Sequence, residues 1–276
     1  MFTNPASLAD SEVNRRFLSG LDFLWLEITP KCNLRCLHCY SESGPTRRIS
    51  EGLQYEDWRQ ILVEAALLGC EKVQFIGGEP TLYPHFNKLV KDAREQGFSF
   101  LEVFTNGTIL TDSMFDQFKQ SNVNLAFSVY ASEEDSHDDI TQTRGSFART
   151  MESMREAILR GIRVRASVIK MPKNSNQIEK LVAMLSKMGV TSIQIDGVRT
   201  VGRGKNFDLV GTESPTLCGS CWQGKLCIDS RGMAFPCVFA RDRCVGHVRN
   251  GIQSILDSLQ LSEFRATSRA QQMRGF

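Results

Sequence analysis

The stretch Phe23-Leu24-Trp25-Leu26-Glu27-Ile28-Thr29-Pro30-Lys31 runs into Cys32-Asn33-Leu34-Arg35-Cys36-Leu37-His38-Cys39-Tyr40. A β-rich run dense in Leu, Ile and Phe is thus followed at once by three cysteines. Such a run suits a parallel strand buried on both faces. In parallel α/β folds, chemical residues gather in loops at the C-terminal ends of strands, where these cysteines stand.

Working outward, strands are expected at residues 23–28, 72–76, 100–104, 124–129, 163–169 and 192–196. Helices are expected between them at 55–68, 86–95, 112–119, 147–159 and 177–187. Their apolar residues recur at three and four, as with Ile61, Leu62, Ala65, Ala66 and Leu68. Gly69, Gly97, Gly161 and Gly189 follow helical runs, where a left-handed residue ends a helix. Strands alternating with helices predict an α/β fold with a parallel sheet. Three more strand ends then join the cysteines on one rim: Gly77-Gly78-Glu79-Pro80, Thr105-Asn106-Gly107 and Ser128.

The 276 residues carry 33 Lys+Arg against 31 Asp+Glu, and 41% are hydrophobic. That excludes wholesale disorder and gives no electrostatic case for nucleic acid or an anionic membrane. No apolar run approaches the roughly 20 residues of a membrane span. Met1 to Gly20 show no signal-peptide pattern, so a cytoplasmic protein is expected. In a reducing compartment the clustered cysteines among the nine read as metal ligands rather than disulfides. Cys70, at a helix end, reads as a small buried hydrophobe. Three thiolates fall one short of a structural zinc site but leave one iron of a [4Fe–4S] cluster open. His38 could complete zinc by count, yet it lies between Cys36 and Cys39.

The run Cys32 to Tyr40 resembles the cluster motif of radical S-adenosylmethionine (SAM) enzymes, and Gly77-Gly78-Glu79-Pro80 resembles their glycine-rich SAM motif. The resemblance implies a partial (β/α)6 TIM-like barrel over residues 21–199, after an N-terminal extension at 1–20. It implies that Cys32, Cys36 and Cys39 ligate a [4Fe–4S] cluster whose open iron takes the SAM amine and carboxylate. The reduced cluster would then cleave SAM to a 5′-deoxyadenosyl radical that abstracts a substrate hydrogen atom. Gly77 and Gly78 would admit the methionine group, Glu79 would accept from its ammonium, and Pro80 would fix the turn. Asn106 and Ser128 would touch the SAM carboxylate or ribose, with turn and strand roles as the plainer readings. Arg144 is either an anion clamp or a solvated helix start. Val168 and Ile195 to Val198 would wall the adenine, or simply pack the core. His38 stands where the family often has an aromatic residue against the adenine, which leaves its role open, and Tyr40 would either pack over the cluster or be a plain loop aromatic.

After a Gly- and Ser-rich linker at 200–216 come Cys218, Cys221, Cys227, Cys237 and Cys244. Residues 226–228, the Arg231-Gly232 turn and 233–235 read as a hairpin, and 251–265 reads as an amphipathic helix. Gly232 and Pro236-Cys237 resemble the small SPASM and twitch domains that follow many radical SAM cores, here at residues 217–276. That implies one auxiliary [4Fe–4S] cluster on Cys218, Cys221, Cys227 and Cys237, with Cys244 as a spare or substitute and structural zinc as the alternative. Arg199, Arg203, Lys205, Arg241 and Arg243 either meet an acidic substrate or are solvated loop charges.

Relatives of this architecture modify ribosomally made peptides by crosslinking or epimerisation, or oxidise small molecules such as aminoglycoside intermediates. Only Met1 to Gly20 precede the first strand, so a winged-helix peptide-binding domain is not expected. The resemblance implies an electron donor such as flavodoxin or ferredoxin, and allows a separate peptide-recognition protein. A non-catalytic iron–sulfur or zinc protein is the remote alternative, with no SAM binding and no need of Glu79.

Overall fold

Leu24, Leu26 and Ile28 of the first strand are all buried in the main core, as a strand covered on both faces requires. In the computed structural model, which describes residues 20–49, 52–207 and 217–273, that strand is β1 (Phe23–Thr29). It lies inside a nine-stranded sheet of order β6-β5-β4-β3-β2-β1-β7-β8-β9. β2 (Lys72–Gly77), β3 (Phe100–Thr105), β4 (Asn124–Ser128), β5 (Val164–Lys170) and β6 (Ser192–Gly197) continue from it in parallel. This is the α/β half of the expected architecture: a parallel sheet, left open between β6 and the far end.

Helices α1 (Tyr55–Leu67), α2 (Phe86–Glu95), α3 (Asp112–Gln120), α4 (Glu134–Thr141), α5 (Ser146–Leu159) and α6 (Ile178–Met188) fill the connections. α1 buries Trp58, Ile61, Leu62 and Ala65, and α2 buries Phe86, Leu89, Val90 and Ala93, at the three-and-four spacing read from sequence. All four glycines expected at helix ends take positive φ. The acidic α4 was not expected. It buries only His137, Ile140 and Thr141, too few apolar positions to show a helical period.

The cysteine-rich segment does not form a sheet of its own. β7 (Lys225–Ile228) pairs in parallel with β1, Trp25 opposite Cys227, and β8 (Met233–Phe235) completes the expected hairpin. A short β9 (Gly246–His247) follows. The single C-terminal helix expected is two, α7 (Ile252–Leu256) and α8 (Leu259–Met273). The break falls at Ser258, whose hydroxyl accepts from Leu261 N (3.3 Å) and donates to Ile255 O (2.7 Å), the behaviour of a capping serine. Residues 1–19 of the expected extension and 208–216 of the expected linker lie outside the described residues; Gly202–Asn206 is a 3₁₀ turn.

Arg265 docks α8 under the barrel. It is fully buried, and its guanidinium donates to Gly20 O (3.0 Å) and Lys225 O (3.1 Å). Arg265→Ala strips two half-buried carbonyls of charged donors and removes a fully buried side chain, so stability should fall by about 2–3 kcal/mol, read as a lower urea midpoint.

Candidate functional site

The loop after β1 closes on itself through Cys32 N to Gly44 O and short turns at Cys36–Cys39 and Gly44–Arg47, and other segments fix it from both flanks. Arg35 N and Leu37 N donate to Thr141 O and Ile140 O at the end of α4, both at 3.0 Å. On the other flank Arg203 N donates to Cys39 O (3.0 Å), while its guanidinium reaches Cys36 O (2.8 Å) and Ser43 O (2.9 Å). Gly202 is obligatory beside it, since a Cβ there would lie 2.3 Å from Tyr40 O. Arg203, half-buried at the cavity wall, is therefore a strut for the cysteine loop.

Cys32, Cys36 and Cys39 line one cavity of about 270 Å³, with Gly77, Gly78, Asn106 and Ser128 on its rim. Burial, with Glu79 next, pushes the Cys32 thiol up to about 12; burial and the two neighbouring thiols also push Cys36 up. Thiols so placed give up their protons to a metal and otherwise hold them.

Gly77 and Gly78 serve this wall through an unexpected contact. A Cβ on Gly77 (φ +135°) would lie 2.5 Å from Thr29 O, and one on Gly78 2.1 Å from Lys31 O. The missing side chains let β2 close against the cysteine loop, while the other side of both residues faces the cavity. Gly78 N and Glu79 N bond Thr29 O (2.7 Å) and Lys31 O (2.8 Å) across that seam.

Glu79 is fully buried and does not line the cavity. Its Oε1 accepts from the hydroxyls of Thr81 (2.7 Å) and Thr105 (2.8 Å), and Oε2 accepts from Asn106 N (2.8 Å). Burial raises its carboxyl above the ordinary value against these donors. In this structure it braces the β2 and β3 loops. Pro80 opens the short 3₁₀ turn that follows. Asn106 reaches the cavity: Nδ2 donates to Asn33 Oδ1 (3.0 Å) and lies 3.8 Å from Cys32 Sγ, while Oδ1 accepts from Thr108 Oγ1 (2.6 Å). Asn33 and Thr108 carry no sequence signal beyond being polar loop residues.

His38 and Tyr130 close the α4 side, with ring centroids 4.5 Å apart. His38 Nδ1 is buried without a partner, and burial, Arg203 and His137 hold its pKa down to about 4. Tyr130 also packs on His137, whose Nδ1 accepts from Tyr130 N (3.3 Å). Arg144 is exposed and does not line the cavity. The α5 N-terminus beside it is already served by Asp138, which accepts from Ser146 Oγ (2.8 Å) and Phe147 N (2.9 Å). Val168 packs in the main core, Ile195 is 48% exposed, and Val198 packs with Tyr130, Ile140 and Met171. None of these three lines the cavity, whose β6 wall is Gln194, Asp196 and Gly197.

Opposite stand Trp25, Tyr40 and Phe239. Tyr40 donates to Glu27 Oε1 (2.8 Å), packs edge-on against Phe239 (5.4 Å) and lies under the Arg241 guanidinium. Arg241 also pairs with the buried Glu27, Arg199 pairs with Asp196, and Arg243 with Asp242. The basic set is thus largely committed within the protein, Lys205 excepted. Beyond Phe239, Cys221 Sγ lies 3.3 Å from Cys237 Sγ. A hydrogen bond with Cys221 draws the Cys218 thiol down to about 5. Cys227 is fully buried on β7, its thiol pushed up by burial, then by Glu27. Cys244 is exposed and lines a separate cleft with His247 and Gln260. Cys70 is buried, its Sγ 3.4 Å from Lys72 O.

An open parallel sheet with three cysteines on its rim and a cysteine-rich hairpin along β1 defines a radical SAM architecture. Residues 26–195 match the radical SAM superfamily profile and residues 216–274 the SPASM iron–sulfur cluster-binding domain. The chain belongs to the radical SAM superfamily, whose cofactors with this second domain are a [4Fe–4S] cluster, SAM and an auxiliary cluster. The antilisterial bacteriocin subtilosin biosynthesis protein AlbA of Bacillus subtilis is 27% identical over 184 residues, 66% of this chain and 40% of that protein. A GTP 3′,8-cyclase of Petrotoga mobilis is 30% identical over 168 residues, 59% of this chain and 51% of that one. The chain thus spans about half, or less, of the curated relatives it matches. Crystal structures of Streptococcus suis SuiB share the fold. The form bound to S-adenosylmethionine has a TM-score of 0.73 at 15% identity over 96% of this chain and 74% of that one. The form bound to the precursor peptide SuiA has a TM-score of 0.69 at 14% identity over 100% and 73%.

Two outcomes follow. Glu79→Gln places an amide NH2 against groups that donate, so it should cost about 1–3 kcal/mol in urea unfolding of the metal-free protein. His137 sits near pKa 4, chiefly through burial. Its folded value lies below its unfolded one, so its stabilisation holds at neutral pH. That stabilisation is lost as pH falls from about 6.5 towards 4. His137→Gln should shrink the fall of the urea midpoint between about pH 6.5 and 4, leaving the share that His38 contributes.

Proposed function

We propose that this chain is a radical SAM enzyme that modifies a ribosomally synthesised peptide, by crosslinking or epimerisation. The observation that carries it is the single cavity shared by Cys32, Cys36, Cys39, Gly77, Gly78, Asn106 and Ser128. The donor set fits the cofactor: three soft thiolates in a buried pocket beside exposed backbone at a strand end. Cys32, Cys36 and Cys39 would hold the first cluster, and Cys218, Cys221, Cys227 and Cys237 the auxiliary one. A cluster held there would supply single-electron reductive cleavage of SAM.

The chain's own residues prepare that chamber. Arg203 and the α4 carbonyls fix the cysteine loop, and Asn33 and Thr108 orient Asn106. Neutral His38 and Tyr130 wall one side, Trp25 and Phe239 keep the other apolar, and Phe104 adds to the apolar lining, where water would quench reactive species. The likeness to AlbA, which its name places in subtilosin biosynthesis, supports a peptide substrate. A flavodoxin or ferredoxin would supply the electron, with a separate recognition protein where the peptide needs one. The enzyme would act in the cytoplasm.

Anaerobic reconstitution with iron, sulfide, dithionite and SAM should give 5′-deoxyadenosine and about eight irons per chain. The triple variant Cys32→Ala/Cys36→Ala/Cys39→Ala should keep about four irons and form no 5′-deoxyadenosine. A precursor peptide encoded beside the gene should change in mass or stereochemistry; turnover of an amino sugar alone would reverse the substrate assignment.

A further inference from the structure

A second cleft, of about 710 Å³, lies against the cysteine-lined chamber, and the two share Tyr40, Ser41, Ser43 and Gly77 as walls. Its lining holds five cations, Arg47, Arg48, Lys205, Arg231 and Arg241, and three anions, Glu27, Glu42 and Asp229. Two pairs cancel within it, Arg241 with Glu27 and Arg231 with Asp229. Arg47, Arg48 and Lys205 are exposed and have no acidic partner among the described residues, and only Glu42 stands against them. Like charges gathered in a concave space repel one another and raise the local concentration of anions. Guanidinium groups favour carboxylates in particular, by paired hydrogen bonds. The hydroxyls of Ser41, Ser43, Thr46 and Ser230 add neutral donors to the same walls.

We propose that this cleft binds an acidic segment of the peptide substrate, holding it while a neighbouring residue enters the chamber. The assignment rests on the peptide-modifying reading and adds the chemistry of the segment recognised. A cleft of about 710 Å³ has room for several residues of an extended chain but not for a folded protein. The shared wall puts whatever fills the cleft directly beside the reacting position.

The test uses the full chain with its clusters loaded and a fluorescein-labelled peptide of alternating glycine and glutamate, followed by anisotropy at low salt. The glutamate peptide should bind saturably and its glutamine counterpart should not. Arg47→Glu/Arg48→Glu/Lys205→Glu should weaken binding at least about tenfold, with iron content and melting temperature unchanged. Lys88→Glu/Lys91→Glu, on α2 away from the cleft lining, should leave it unchanged. Equal binding of both peptides, or equal loss in the α2 variant, overturns the proposal. So does a cleft variant that binds the peptide normally but is reduced more slowly by an acidic flavodoxin, which would make the cleft a redox dock. The reaction is read separately by mass. An unmodified precursor, with glutamate binding still lost in the cleft variant, would end the peptide-modifying reading and leave the cleft assignment standing.

Discussion

The cysteine loop makes only short turns of its own, and the site depends on how other segments hold it. Its backbone is hung between the end of α4, the Arg203 guanidinium, and the seam where Gly78 and Glu79 meet Thr29 and Lys31. Burial pushes the Cys32 and Cys36 thiols up against the opposing pull of Leu34 N, Asn106 and Arg203, so the metal-free chain holds these two protonated. The surrounding contacts pre-position the sulfurs, so a cluster binding there does not bear the whole entropy of ordering the loop.

Much of this was legible. Six strands and five helices announced themselves because parallel strands are continuous apolar runs and the helices keep a clean apolar stripe. The rim residues followed from the rule that chemistry sits at strand C-termini. What escaped has a physical cause in each case. α4 is acidic and buries too little to show a period. The roles of Glu79 and Arg203 are set by partners more than twenty residues away, Thr105 and Cys36 among them, which no local pattern encodes. Arg144, read as an anion clamp or a solvated helix start, is exposed, and Asp138 supplies the helix that follows with its anion. The glycine pair was recognised, yet its missing side chains face the protein's own backbone.

The two cysteine sets meet across a short span of buried structure. Tyr40 follows Cys39 in sequence, touches Phe239, and Phe239 stands two residues from Cys237. Glu27 and Arg241 join the same contact from β1 and from the segment beyond the hairpin. Removing one partner of such a buried pair strands the other charge, at about 3–5 kcal/mol. The auxiliary segment is therefore fastened beside the chamber and shares walls with it.

The parallel pairing of β7 with β1 bears on how the chain can be divided. Were the polypeptide cut after the sixth strand, β1 would become a bare margin, its amides and carbonyls turned to solvent along Phe23 to Leu26. Open margins of that kind recruit other strands and drive clumping. The barrel half on its own should be a sticky fragment, and the hairpin protects its solubility as much as it carries cysteines.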